Sequence, residues 1–161
     1  MDEQIRIRPI DPEDRPWIQV ELRKWWGDQH VVIRKTKYDL LEMDGFIAAH
    51  LDGRIGLIIT RTTDTTCEIM SLTTSGSHPK TGILLVEEVI ADARKNGYDR
   101  IIVVTTNDNT SALRFYQKAG FNIHALRKNI LEESRKIKPE IPLIGNHHIP
   151  IRDEIELEMT L

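Results

Sequence analysis

Asn107-Asp108-Asn109-Thr110-Ser111-Ala112-Leu113-Arg114-Phe115-Tyr116-Gln117-Lys118-Ala119-Gly120-Phe121 reads as one helix with its start and its stop. Asp108 or Asn109 offers a side-chain oxygen to the first free amides of a helix. Asn109, Ala112 and Tyr116 then fall at i, i+3 and i+7, so an amide, a gap and a phenol form a row along one side. Such a row can hold a long, thin ligand. Gly120 tolerates positive φ and ends the helix, and Phe121 opens the next apolar stretch.

Working outward, Ile101-Ile102-Val103-Val104 is apolar without alternation, as expected for a strand covered on both faces beside a parallel neighbour. Residues 82–96 change period: Leu85, Val86, Val89, Ile90 and Ala93 recur at helical spacing, with Glu87, Glu88, Asp92 and Arg94 opposite, and Gly97 ends the run. Upstream, residues 45–51 and 54–60 flank Asp52-Gly53, a hairpin signal, and a third strand runs from Cys67 to Thr74 after the polar turn Asp64-Thr65-Thr66. The three form an antiparallel meander. Ile5 and Ile7 alternate with Arg6 and Arg8 in an opening strand, and Asp11-Pro12-Glu13-Asp14 starts a helix that runs toward Trp25. Beyond Phe121, a strand to about Leu126 and a short helix over 129–136 precede Pro139, Pro142 and Pro150, which keep the chain extended. Ile155, Leu157, Met159 and Leu161 alternate with Glu154, Glu156, Glu158 and Thr160, a closing strand whose acidic run, 153–158, reads as its solvated face. The fold class is mixed α/β.

A chain of 161 residues, 40% hydrophobic and 29% charged, supports one core, so a single domain over 1–161 is expected. A formal net charge of -3 argues against a nucleic-acid partner. One cysteine, Cys67, excludes an internal disulfide and a cysteine-rich metal site, which suits a reducing cytoplasm. No apolar run reaches membrane-span length, and Met1-Asp2-Glu3 is unlike a signal peptide, so no membrane partner is expected.

The pattern Asn109-x-x-Ala112-x-x-x-Tyr116-x-x-x-Gly120-Phe121, preceded by the strand 101–106, resembles the cofactor-side helix of the GNAT acyl-CoA N-acyltransferase superfamily. The wording around Thr105 to Asn109, and the segment from Lys138 to Glu158, is similar to a group of small bacterial members. The resemblance implies a mixed central sheet of six to seven strands flanked by about four to five helices. It also implies acetyl-CoA as acyl donor, no metal, and an amine acceptor on a small molecule or a protein.

In that family the strand before the central helix runs into a pyrophosphate loop, Gln/Arg-x-x-Gly-x-Gly/Ala, whose amides meet an anion at a helix start. Here the aligned loop is Ser77-His78-Pro79-Lys80-Thr81-Gly82, followed by Ile83, and only the last glycine matches. Pro79 has no amide hydrogen, and Lys80 stands where a glycine would let phosphate approach. Either Lys80 supplies a charge, with hydroxyls from Ser77 and Thr81 and the helix dipole at Gly82, or the loop is an exposed turn and the cofactor site is weakened. By the same resemblance Tyr116 is the acid that reprotonates the thiolate. Glu68, on the strand leading into the loop, is the candidate base, with an exposed structural carboxylate as the other reading. Backbone groups near Leu72 and Thr74 are expected to polarise the acetyl carbonyl and pair with the pantetheine arm.

Trp25-Trp26-Gly27-Asp28-Gln29-His30 concentrates aromatic surface. Either Trp25 and Trp26 pack the body of an acceptor, with Asp28 or Glu21 attracting its amine, or one fills the core and the other covers it. His147-His148 point apart in an extended chain and lack a third ligand, so no metal site is read. His50, His78 and His124 stand singly. The leading function is an acetyl-CoA-dependent N-acetyltransferase; the alternative is a catalytically inactive GNAT-fold module that senses CoA or binds a protein. The closing strand either pairs across a two-fold axis, giving a homodimer, or leaves an edge guarded by its glutamates.

Overall fold

The computed structural model describes residues 4–51 and 53–161. In chain order the elements are β1 (Arg6–Pro9), α1 (Arg15–Trp26), β2 (His30–Ile33), β3 (Thr36–Asp39), β4 (Asp44–His50), β5 (Gly53–Thr63), β6 (Thr66–Thr74), α2 (Thr81–Lys95), β7 (Arg100–Thr106), α3 (Thr110–Lys118), β8 (Asn122–Arg127), α4 (Leu131–Ile137) and β9 (Glu154–Thr160). Seven strands form one sheet in the order β1-β4-β5-β6-β7-β9-β8, and β2 and β3 form a separate hairpin. The expected meander is β4, β5 and β6, all antiparallel. Its Asp52 turn residue and Met1 to Glu3 lie outside the described residues. One pair is parallel, β6 with β7, as the apolar run at 101–104 required.

Each face of the sheet carries its own core. On one, Leu85, Val86 and Val89 of α2 and Tyr116 of α3 pack with Cys67, Ile69, Ile101, Val103 and Phe121. On the other, Ile18 and Leu22 of α1 and Val31 and Ile33 of β2 cover Ile47, Leu57, Ile59 and Met70. Ile18, Leu57, Ile59, Leu85 and Ile101 are fully buried, each worth about 1.5–3 kcal/mol against exposure. Gly56 of β5 sets how closely α2 approaches: a Cβ there would stand 2.7 Å from the Thr81 methyl and 3.0 Å from Leu85 Cδ1. The missing side chain lets the start of α2 sit directly on the sheet.

Two expectations about the closing strand are corrected. β9 pairs on both sides, with β7 from Arg100↔Thr160 to Thr106↔Glu154 and with β8, so it is interior and has no edge to offer a second copy. Its acidic face is not solvated either. Glu154 and Glu156 are buried, because Arg127 of β8 donates to Glu154 at 2.8 Å and to Glu156 at 3.0 Å, while Arg34 lies 3.7 Å from Glu156. Interior carboxylates persist when paired in this way.

Candidate active site

The parallel pairing of β6 and β7 stops at Ile69↔Val103, although β6 continues to Thr74 and β7 to Thr106. Past that point the strands part. Ser75 donates its amide to Ile55 of β5 at 2.8 Å, so strand alternation turns the amides and carbonyls of Thr74 and Leu72 the other way, into the gap. These are the backbone groups singled out from the sequence. The gap leads to the first turn of α2. There the Thr81 amide bonds the His78 carbonyl at 3.1 Å, whereas those of Gly82 and Ile83 are among the amides every helix start leaves without an intrahelical acceptor.

The loop before α2 keeps some of its expected donors and loses others. Lys80 is exposed at the helix N-cap. Ser77 is exposed, with its hydroxyl 2.7 Å from that of Ser75 and 2.9 Å from His78 Nδ1. Thr81 departs from expectation: it is buried, and its hydroxyl donates to the His78 carbonyl at 2.8 Å, so it closes the turn rather than facing a phosphate. His78 is not solitary, since its ring lies 4.2 Å from that of His50.

Asn109 caps α3, its side-chain oxygen accepting from the Ala112 amide at 3.1 Å. Tyr116 is buried in the same cluster as Ile69 and Val103, the last residues of the parallel pair, with edge contacts to Phe115 and Phe121. Burial pushes its phenol well above the usual range, so it stays protonated at neutral pH. Cys67 is also buried, and desolvation, with Asp92 and Glu68 adding to it, holds its thiol up at about 11, far from a reactive thiolate.

Beside the gap, on the α1 side of the sheet, lies a cavity of about 540 Å³. Trp25 and Trp26 form one wall, and neither fills the core: they are 49% and 41% exposed, and Ile18 and Leu22 do the core packing of α1. Trp26 Nε1 donates to Ser71 at 3.2 Å. The opposite wall is the segment after α4, with Ile141, Pro142, Gly145 and Asn146. Arg135 fastens that segment by donating to the carbonyls of Ile141, Pro142 and Ile151. Asn107 adds to this, donating to the Pro150 carbonyl and accepting the amides of Arg152 and Asp153.

Neither Asp28 nor Glu21 lines the cavity. Asp28 is taken: burial alone would raise its carboxyl, yet the His30 amide and Lys138 hold it below the usual range. The carboxylates on the wall are Asp108, Glu140 and Glu154. Sequence reasoning treated Asp108 only as a helix cap; with Asn109 in that role, the side chain of Asp108 is released to the cavity.

Glu68 is likewise not a free base. It is 2% exposed, Arg34 donates to both its oxygens, Arg61 lies 3.6 Å away, and it is absent from the cavity wall. On Arg34, burial opposes the charge, but the bonds to Glu68 win and hold the guanidinium above its ordinary value. His147 and His148 are in a short 3-10 turn with φ of 58° and 61°, not in extended chain. Among the described residues no group of three or more His, Cys, Asp or Glu could hold a metal ion, and no helix is long and apolar enough to cross a membrane.

Comparison with known proteins agrees with this geometry. Residues 5–121 match the model of the acetyltransferase (GNAT) family. The uncharacterised protein YxbD of Bacillus subtilis is 40% identical over 158 residues, covering 98% of this chain and 99% of that protein. Among solved structures, an IAA acetyltransferase from Bacillus cereus superimposes with a TM-score of 0.74 at 23% identity, covering 98% of this chain and 100% of that one. A GNAT family acetyltransferase from Elizabethkingia anophelis, with acetyl-CoA bound, does so with a TM-score of 0.71 at 23% identity, over 99% and 100% of the two chains. With its parted parallel strands, its Asn109-capped helix α3 and a family match across most of its length, the chain belongs to the GNAT acetyltransferase family.

Proposed function

We propose that this protein is a cytoplasmic N-acetyltransferase that moves an acetyl group from acetyl-CoA to a primary amine of a small molecule or a protein. The observation that carries the reading is the parting of β6 and β7 after Ile69 and Val103, which turns the Leu72 and Thr74 backbone groups into a gap ending at the amides of Gly82 and Ile83. An extended thioester has donors and acceptors along that gap, and its pyrophosphate has a helix start to meet.

The donor supplies an activated thioester carbonyl. The backbone of β6 orients it, and a deprotonated acceptor amine approaching from the Trp25 and Trp26 side reaches the carbonyl carbon across the gap. As the new C–N bond forms and the C–S bond breaks, the departing thiolate takes a proton from the Tyr116 phenol, which burial keeps protonated, and the proton that the nitrogen sheds in becoming an amide restores the phenol through solvent. Asn109 and Ala112 hold the first turn of α3 beside the cofactor path. Lys80 and Ser77 stand at the pyrophosphate end, where an ammonium and a hydroxyl offset phosphate charge. Because Pro79 and Lys80 replace the usual loop residues, a second reading is a CoA-sensing or protein-binding module without turnover.

Calorimetric titration with acetyl-CoA, set beside 3'-dephospho-CoA, tests the proposal. Saturable binding near -8 kcal/mol, roughly micromolar, supports it. Absence of binding at millimolar cofactor would overturn it. Binding without turnover on any amine, unchanged by Tyr116→Phe, would favour the module.

A further inference from the structure

We infer that Asp108 receives the ammonium group of the acceptor, and that the acceptor is a primary amine with an apolar body and no carboxylate next to its nitrogen. The inference rests on the acetyl-transfer reading for the identity of the cavity as the acceptor site, and on charge bookkeeping for its chemistry.

Asp108 is 4% exposed on the cavity wall. Its oxygens accept from two neutral donors, the Thr106 hydroxyl at 2.5 Å and the Asn146 amide at 3.0 Å. No cationic nitrogen among the described residues lies within ion-pairing distance of it. The other interior acids differ: Glu154 has Arg127, and Glu68 has Arg34. A buried carboxylate without a counter-charge is costly, and a ligand that brings one regains that cost on binding. Asp108 also lies two residues past Thr106, where β7 ends beside the gap, so a nitrogen held there is at the edge of the acyl path.

A carboxylate on the ligand would find no free cation among the described residues of the cavity wall. The cavity's one lysine, Lys138, has its ammonium on the carbonyls of Trp26 at 2.8 Å and His30 at 2.6 Å and on Asp28 at 3.2 Å, which uses its three donors. Arg127 carries a buried, unpartnered Nη2, yet it does not line the cavity. Glu140 on the wall repels a second anion, the charge of Glu154 being met by Arg127. The remaining surface, from Trp25, Trp26, Met70, Val104, Ile141 and Pro142, suits an aliphatic or aromatic body.

The test is calorimetric binding of 2-phenylethylamine, its neutral analogue 2-phenylethanol and phenylalanine to the whole protein and to Asp108→Asn, with acetyl-CoA titrated in parallel. The amine is expected to bind the unaltered protein about tenfold or more tightly than either analogue, the scale of one charge-assisted contact. Asp108→Asn is expected to lose that preference while keeping its affinity for acetyl-CoA. Equal binding of amine and alcohol to the unaltered protein would overturn the inference without recourse to any variant. So would a preference for phenylalanine, a preference retained in Asp108→Asn, or tighter binding of a peptide with a free N-terminus than of the amine. Selective, Asp108-dependent amine binding with no affinity for acetyl-CoA would support Asp108 as the ammonium site and overturn both the acetyl-transfer reading and the amine's role as acceptor.

Discussion

Arg34 and Glu68, 34 residues apart in sequence, meet through paired hydrogen bonds, Nη1 to Oε2 at 2.9 Å and Nη2 to Oε1 at 2.7 Å. The pair ties the β2–β3 turn to the central sheet and occupies the one carboxylate that the sequence suggested as a base. Arg34→Met leaves that buried charge without its fork of donors. The expected loss is about 2–3 kcal/mol in urea denaturation, below the range for fully buried pairs because the guanidinium is partly in water. Glu68→Gln is expected to leave the pH–rate profile in place, and loss of its acidic limb would return Glu68 to a catalytic role.

Tyr116→Phe removes one oxygen from a buried ring that otherwise packs against Phe115 and Phe121. Acetyl-CoA affinity is therefore expected to hold while turnover falls roughly 10²-fold, the scale of a lost general acid. Calorimetry and steady-state kinetics on one preparation read the two quantities separately.

Asp14 is fully buried and gathers two arginines, Arg8 through bonds of 2.7 Å and Arg54 at 2.9 Å. The Arg8 bonds, aided by the Asp11 amide and Arg54, outweigh burial and hold its carboxyl well below the usual range. A depressed folded-state pKa contributes stability above the unfolded value of about 4 and loses it as pH falls toward the folded one. Comparison of Asp14→Asn with the unaltered protein is expected to show a stability difference that is constant above about pH 5 and shrinks below about pH 4. A difference that grows on acidification would contradict this assignment.

Gly145 leaves room for the Asp108 carboxylate. A Cβ at that position would stand 2.7 Å from Ile151 Cγ1 and collide outright with Asp108 Oδ2. Gly145→Ala must therefore move either the carboxylate or the segment that walls the cavity. Acceptor kcat/KM is expected to fall roughly ten- to a hundredfold, as for a misplaced positioning group, with acetyl-CoA affinity unchanged.

Elements whose signals are local were legible in the sequence. The Asn109 cap, the 3.6-residue period of α2 and the uninterrupted apolar run of β7 each state their own structure. The β2–β3 hairpin was not. Its turn residues, Arg34 and Lys35, adopt φ of 52° and 65° without the glycine or asparagine that marks such turns. Bonds from distant residues hold it, with Glu154 accepting the Arg34 amide and Glu68 the Arg34 side chain. The same dependence hid the burial of Glu154 and Glu156, since alternating glutamates in a strand look solvated until Arg127 and Arg34 are known to face them. At the site, the orientation of the Leu72 and Thr74 backbone follows from strand alternation, whereas the place of Asp108 on the cavity wall depended on which of two adjacent residues took the cap.

The position of β9 between β7 and β8 bears on how the protein is made. It follows all other described elements in chain order, yet it fills an interior place in the sheet and brings Glu154 to the cavity wall. Until the ribosome releases that strand, β7 has an open side, β8 has no partner, and Arg127 has no glutamates to meet. A chain stopped after Asp153 is therefore expected to aggregate and to bind no acetyl-CoA, and a soluble, cofactor-binding truncation would contradict that expectation.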